Sequence, residues 1–402
     1  DFGYAEFMVT GDPHSSQLTA TTIGHNTVVV DEENSIGSKN ANDVGVPQKP
    51  LHFDAKDTRV KVMDARTPVA YSQCDDYRRT IVMVDYDDEV SYGVDFFRVD
   101  GGKDHLYTFS PAADTRPQHS ENLTFIKQVD EPQDTWRYDH KNYYPFSSYA
   151  GPTVQCGEDP GGYGNYKYPR GYTWFYDVER CDNPGTGEFW LDWAIKDFRK
   201  QSRNGNLNLR LRMTMVNDFD VNEVSLTSLL PQRIAQNEGI DHFEKVFVRR
   251  KGTNIDSLFT TVYEPYKDGD RYVTDIQNVT IEATGGATEG KDDEAKAVKV
   301  VLGDNRTDYI VYATNRDVIY TITDGEYSFD FAGFVGVWTV NANGDCTYKY
   351  LNDGTILGEG NNKIEEAEAA ATGKIVDFQK ELSLDNWIDD AHCFRKQLHF
   401  LE

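Results

Sequence analysis

Between residues 207 and 215 the chain reads Leu-Asn-Leu-Arg-Leu-Arg-Met-Thr-Met, with apolar side chains at every second position and polar ones between them. A period of two sustained over that length is what a half-buried β-strand requires, because successive side chains leave opposite faces of the pleat. The same alternation returns in Tyr-Gly-Val-Asp-Phe-Phe-Arg-Val at 92–99. Strands are predicted at 27–31, 59–64, 79–85 and 91–99, with Asp87-Asp88 as the hairpin turn between the last two. Later segments such as GEFWLDWAI, KVFVRRKG, SLFTTVYEPY, AVKVVLG and DYIVYAT continue the pattern, and only EEAEAAAT at 364–371 reads as a short helix. Aromatic residues make up 13% of the chain, led by 24 Tyr and 21 Phe, the side chains that suit a pleated, half-buried surface. Many short strands punctuated by turn residues predict an all-β fold, a large antiparallel β-sandwich of stacked sheets. Residues 1–265 are expected to form that larger body, and 266–402 a smaller C-terminal β-rich unit.

Charge narrows the partners. Acidic residues number 67 against 41 basic ones, a net charge of −26 that repels nucleic acid and anionic membrane surfaces. No apolar run reaches the roughly 18 to 20 residues of a membrane-spanning helix. Against that background Arg78-Arg79, Arg249-Arg250-Lys251 and Arg199-Lys200 with Arg203 concentrate positive charge, either as contacts for a polyanion or as solvated strand ends. Five cysteines form no CxxC pair, which speaks against a structural zinc site. Cys156 and Cys181 flank a Gly/Tyr/Pro-rich loop and would close it as a disulfide in an oxidising compartment. Within the irregular stretch 111–172, Tyr143, Tyr144, Tyr163, Tyr166, Tyr168 and Tyr172 crowd together, either to stack on sugar rings or as a covering aromatic layer. The opening residues DFGYAEFMVT lack the basic start and apolar core of a signal peptide, and the chain is expected to begin in mid-protein.

Four stretches in order, GHNTVVVD (24–31), YRRTIVMVD (77–85), YGVDFFRVDGGKDHLYTFS (92–110) and VFVRRKGTNIDSLFTTVYEPY (246–266), resemble the β-sandwich part of the heparinase II/III-like polysaccharide lyases, a family that includes alginate lyases. The resemblance covers about 240 residues and implies a secreted or periplasmic enzyme that cleaves a uronate-containing anionic polysaccharide by β-elimination, with alginate ahead of glycosaminoglycans. It also implies a partner: an N-terminal α/α toroid of the same protein, which this chain lacks and which would complete the substrate cleft. The alternative is a carbohydrate-binding or scaffold sandwich without the chemistry.

Residue by residue, the resemblance implies His25 as a cleft residue, catalytic or a metal ligand, and Tyr71 in PVAYSQ as a proton carrier or substrate contact. His105 in GGKDHLY is implied as a cleft-side residue that contacts substrate or orders the hairpin beneath it. Of Arg78 and Arg79, one is expected to neutralise a uronate carboxylate, the alternative being a pairing with Asp75 or Asp76. Asp43 stands where the family places an acidic metal ligand, so that His25 and Asp43 would hold one divalent ion, Zn, Mn or Ca. Two departures weaken a histidine-rich site: Thr80 follows the paired arginines where the family often has His, and Ile23 replaces a further His two positions before His25.

Overall fold

The computed structural model describes residues 18–35, 49–67, 69–128, 147–158, 167–197, 208–229, 242–286 and 295–359. Asp43 lies outside them, as do Tyr143, Tyr144, Tyr163 and Tyr166. Among the described residues 59% are strand, no helix reaches seven residues and the sheets are antiparallel, so the sandwich expected from the alternation is the fold observed. Two compact units emerge: residues 1–47, 67–278 and 300–304 form one, and 48–66, 279–299 and 305–402 the other. The sequence division at 265 differs in detail, since 48–66 group with the second unit and 266–278 with the first.

In the first unit one sheet runs in the order Val28–Val30, Asp104–Phe109, Phe243–Lys251, Glu223–Leu229 and Phe175–Asp182, with short strands beyond. The other runs Asp76–Asp85, Ser91–Asp100, Asp256–Lys267, Leu209–Val216 and Glu188–Ala194. Between them lies a core that includes Val28, Val30, Phe97, Tyr107, Met213, Met215, Val246, Val248 and Phe259. The first sheet is also buried on its far face, where Val29, Leu106 and Phe247 meet Leu18, Ile23, Tyr149 and Tyr172. That double burial explains the unbroken Val-Val-Val: Val28 and Val30 serve one core and Val29 the other. The turn after Ser91–Asp100 depends on Gly101 and Gly102, at φ +97° and +91°, because a Cβ on Gly101 would sit 2.4 Å from the Gln73 carbonyl oxygen. The hairpin at Asp87 forms as expected, its carboxylate accepting from the Glu89 and Val90 amides at 2.8 Å each.

Cys156 and Cys181 are buried free thiols, not a disulfide. The physical reason is that they lie on opposite faces of the first sheet: Cys181 belongs to the core between the sheets, whereas Cys156 belongs to the cluster on the far face.

A third sheet, which makes up most of the second unit, runs in the order Cys346–Asn352, Val335–Val340, Thr307–Ala313, Ala295–Leu302, Val273–Gly286, Val318–Asp324, Tyr327–Ala332 and Ile356–Gly358. Its core gathers Ala297, Tyr309, Val311, Tyr320, Ile322, Phe331, Trp338 and Leu351. Buried Asp308 takes both forks of Arg306 at 2.9 Å and the Thr339 hydroxyl at 2.6 Å, which satisfies the charge internally.

Candidate functional site

A tight turn at Thr22–Gly24 delivers the chain to His25, three residues before the strand Val28–Val30 begins. Gly24 is needed there, because a Cβ would lie 2.5 Å from the Leu18 carbonyl oxygen. His25 is half-buried, and its carbonyl accepts from Lys245 Nζ at 2.9 Å and from the Thr108 hydroxyl. The ring places Nε2 3.1 Å from the Thr19 carbonyl oxygen. A carbonyl only accepts, so Nε2 carries the proton and the lone pair sits on Nδ1. Burial, and then the nearby Lys245 ammonium, holds the imidazole below its ordinary value. At neutral pH the ring is therefore uncharged, the form a general base or a metal ligand needs.

The neighbouring side chains answer a different demand. Asn26 Oδ1 accepts from the Ser110 amide at 2.8 Å, just past the end of Asp104–Phe109, so the side chain extends the backbone ladder by one bond. The Asn26 carbonyl accepts from Arg79 Nη1 at 2.8 Å. Thr27 Oγ1 meets the Tyr77 hydroxyl at 2.7 Å, and that hydroxyl donates to the Val28 carbonyl at the same distance. His-Asn-Thr thus divides its work: Asn26 and Thr27 tie down the sheet end, and His25 carries a half-buried imidazole bonded to the Thr19 carbonyl.

Arg79 is an anchor. Its Nε and Nη2 clasp Asp95 at 2.9 and 2.7 Å, and Asp95 is 1% exposed. Tyr107 completes the network by donating to Asp95 Oδ2 at 3.1 Å and by bonding Tyr263. Each guanidinium nitrogen thus has one partner within the protein, two on Asp95 and one on the Asn26 carbonyl, so the ion pair is with Asp95 and not with Asp75 or Asp76. Arg78 alternates to the opposite face of the same strand, its Cα partner being Arg98.

Tyr71 is 1% exposed and donates towards the Val28 and Glu33 carbonyls at 3.4 Å. Burial raises its hydroxyl far above the ordinary phenol value, so it stays protonated near neutrality. His105 is fully buried, with Nε2 donating to the Gly101 carbonyl at 2.7 Å and Nδ1 accepting from the Ser257 hydroxyl at 2.8 Å. One ring nitrogen serves the hairpin turn and the other the strand Asp256–Lys267, so His105 ties the turn to its neighbouring strand. Of the proposed metal pair only His25 is described, and among the described residues no group of three or more His, Cys, Asp or Glu is placed to hold an ion.

Two residues that sequence reasoning passed over stand beside this site. Lys245 is 1% exposed, and burial pulls its amine down to about 7. Glu244, on the opposite face of the same strand, is equally buried and meets Arg116 Nη1 at 2.6 Å. Burial pushes its carboxyl up to about 7 against the pull of Arg116. Arg116 also holds Glu179 at 3.2 Å and Asp177 at 3.1 Å, while Lys127 meets Asp177 at 2.7 Å. The signal was visible: Glu-Lys opens a strand, FEKVFV, whose other members are apolar.

No family model matches the sequence, and no curated protein matches it. Among solved structures, heparinase III resembles it with a TM-score of 0.39 and 11% identity over 78% of this chain and 33% of that one. Heparan sulfate lyase HepC from Pedobacter heparinus does so with a TM-score of 0.39 and 10% identity, again over 78% and 33%. The relationship is a distant structural one, and the chain spans about a third of the length of these structures.

Proposed function

We propose that this chain is the sandwich portion of a polysaccharide lyase acting on a uronate-containing anionic polymer outside the cytoplasm, with alginate as the first substrate to try and glycosaminoglycans next. The observation that carries the reading is the neutral, half-buried imidazole of His25, held by its own backbone at the sheet end with a lone pair on Nδ1. In β-elimination a base takes the proton on the carbon beside the uronate carboxylate. The released electron pair forms the ring double bond, and the glycosidic oxygen leaves with the bonding electrons and picks up a proton. His25 can serve the first step as base. A divalent ion, if His25 helps to hold one, would stabilise the developing charge on the carboxylate.

Arg79 is committed to Asp95 and Tyr71 is inside, so carboxylate neutralisation and protonation of the leaving oxygen are assigned to a preceding toroid segment. The chain by itself is then expected to be inactive or nearly so. The test is ultraviolet absorbance of the unsaturated uronate product when the full-length polypeptide meets alginate, hyaluronan or heparan sulfate. The internal placement of Tyr71 and His105 favours a second reading, a sandwich that binds glycan without cleaving it. Retention of polymer with no absorbance change would select that one.

A further inference from the structure

Tyr266 and Tyr272 line a shallow cavity of about 70 Å³ together with Glu89, Glu264, Lys267 and Asp270. A third ring, Tyr86, lies with its centroid 4.7 Å from that of Tyr272, tilted by 45°. The three rings are half-exposed. Two are fixed by their hydroxyls: Tyr266 donates to buried Asp192, and Tyr86 donates to Asp304 at 2.8 Å. Such rings offer their faces to a ligand, and because they are already ordered, little side-chain entropy is lost when something stacks on them.

The polar lining decides what that ligand is. Glu264 is 2% exposed and takes Arg271 at 3.1 and 2.7 Å, so its charge is answered within the protein. Glu89 and Asp270 are exposed carboxylates that accept hydrogen bonds, and the two outnumber the single exposed ammonium of Lys267, so the rim is net negative and repels other carboxylates. A cavity far below the few hundred Å³ of an enclosing small-molecule pocket suits a ligand that lies across it, not one swallowed by it. Flat apolar ring faces beside hydroxyl acceptors match a pyranose, whose C–H face stacks while its hydroxyls donate. We infer that the Tyr86/Tyr266/Tyr272 surface is a binding subsite for a neutral sugar unit of a glycan chain, separate from the His25 site and selective against uronates.

The separation is large. Arg79, which anchors the His25 segment, and Tyr86 are seven residues apart along one strand and its turn, roughly 23 Å at the rise of an extended chain. The inference does not depend on lyase chemistry, so its test is a binding measurement on the chain as it stands. Calorimetric and nuclear magnetic resonance titrations would use hexamers of β-1,4-glucan, β-1,4-mannan and β-1,4-xylan, with hexamannuronate as the anionic arm. At least one neutral hexamer is expected to bind, at least tenfold more weakly to Tyr272→Ala and more weakly to Tyr86→Ala, with hexamannuronate unable to compete. Asp270→Asn, an exposed change that leaves the rings in place, is expected to lower affinity several-fold with an unaltered melting temperature. Absence of binding by every neutral hexamer, equal competition by hexamannuronate, or affinity untouched in Tyr272→Ala and Asp270→Asn would overturn it. Failure of the ultraviolet assay alone would count against the lyase and not against this subsite.

Discussion

Lys245 is the most expensive side chain near the candidate site. Among the described residues no carboxylate lies against its buried amine, and its hydrogen bond goes to a backbone carbonyl that Thr108 also serves. Replacing it by an apolar chain of similar length removes the desolvation cost while leaving that carbonyl partnered. Lys245→Met is therefore expected to raise stability by about 1 to 3 kcal/mol in urea unfolding at pH 7, and a loss of stability would mean that the amine holds more than His25. Asp95 poses the opposite case, because it is the buried half of an ion pair. Asp95→Asn removes the charge that Arg79 and Tyr107 converge on and is expected to cost about 3 to 5 kcal/mol. A midpoint shift under about 1 kcal/mol would show that Arg79 finds another partner. The sequence marked His25 and the arginine pair as unusual, and it left two roles open for Arg79 and for His105: contact with substrate, or an internal ion pair for the arginine and ordering of the hairpin for the histidine. A strand pattern tells which face a side chain takes, but a polar residue on an inward face is indistinguishable from one facing a ligand until its partner from another strand is known. Asp95 lies 16 residues from Arg79, and Ser257 lies 152 from His105.

At the scale of elements, the strand Phe243–Lys251 carries two opposed electrostatic burdens, Glu244 on one face and Lys245 on the other. Glu244 has a folded-state value raised to about 7 from an ordinary 4.5, so the unfolded chain gives up its proton first as pH rises. Stability contributed by this group is present below pH 4.5, is lost as pH rises to about 7, and is flat above that. Glu244→Gln should remove that part of the slope between pH 4.5 and 7 in chemical unfolding, and an unchanged slope would place the group's titration elsewhere. Alternation along Leu209–Val216 and Ser91–Asp100 was legible at once, as was the Asp87 turn, since each depends on neighbours in sequence. The start of the first strand was less so: His25 and Asn26 precede Val28–Val30, because a turn at Thr22–Gly24 and hydrogen bonds from Ser110 and Arg79 fix the entry.

For the whole molecule, the all-β architecture followed from composition and period, whereas the grouping of residues 48–66 with the second unit did not. That hairpin, Lys49–Asp54 with Val60–Arg66, binds its unit through contacts remote in sequence: His52 stacks on Phe334 at 3.9 Å and Tyr350 donates to Asp54 at 2.9 Å. No local pattern announces such a return. The central claim concerns the molecule in its full length, in which the His25 imidazole works on a uronate beside a preceding helical segment. It is tested most directly by following ultraviolet absorbance of the unsaturated product from alginate, hyaluronan and heparan sulfate with the full-length polypeptide and its His25→Ala variant. The account predicts product from the parent on at least one polymer and a rate about 10²- to 10⁴-fold lower for His25→Ala, with unfolding midpoints that agree. Equal rates from parent and variant, or no product on any of the three polymers, would contradict it.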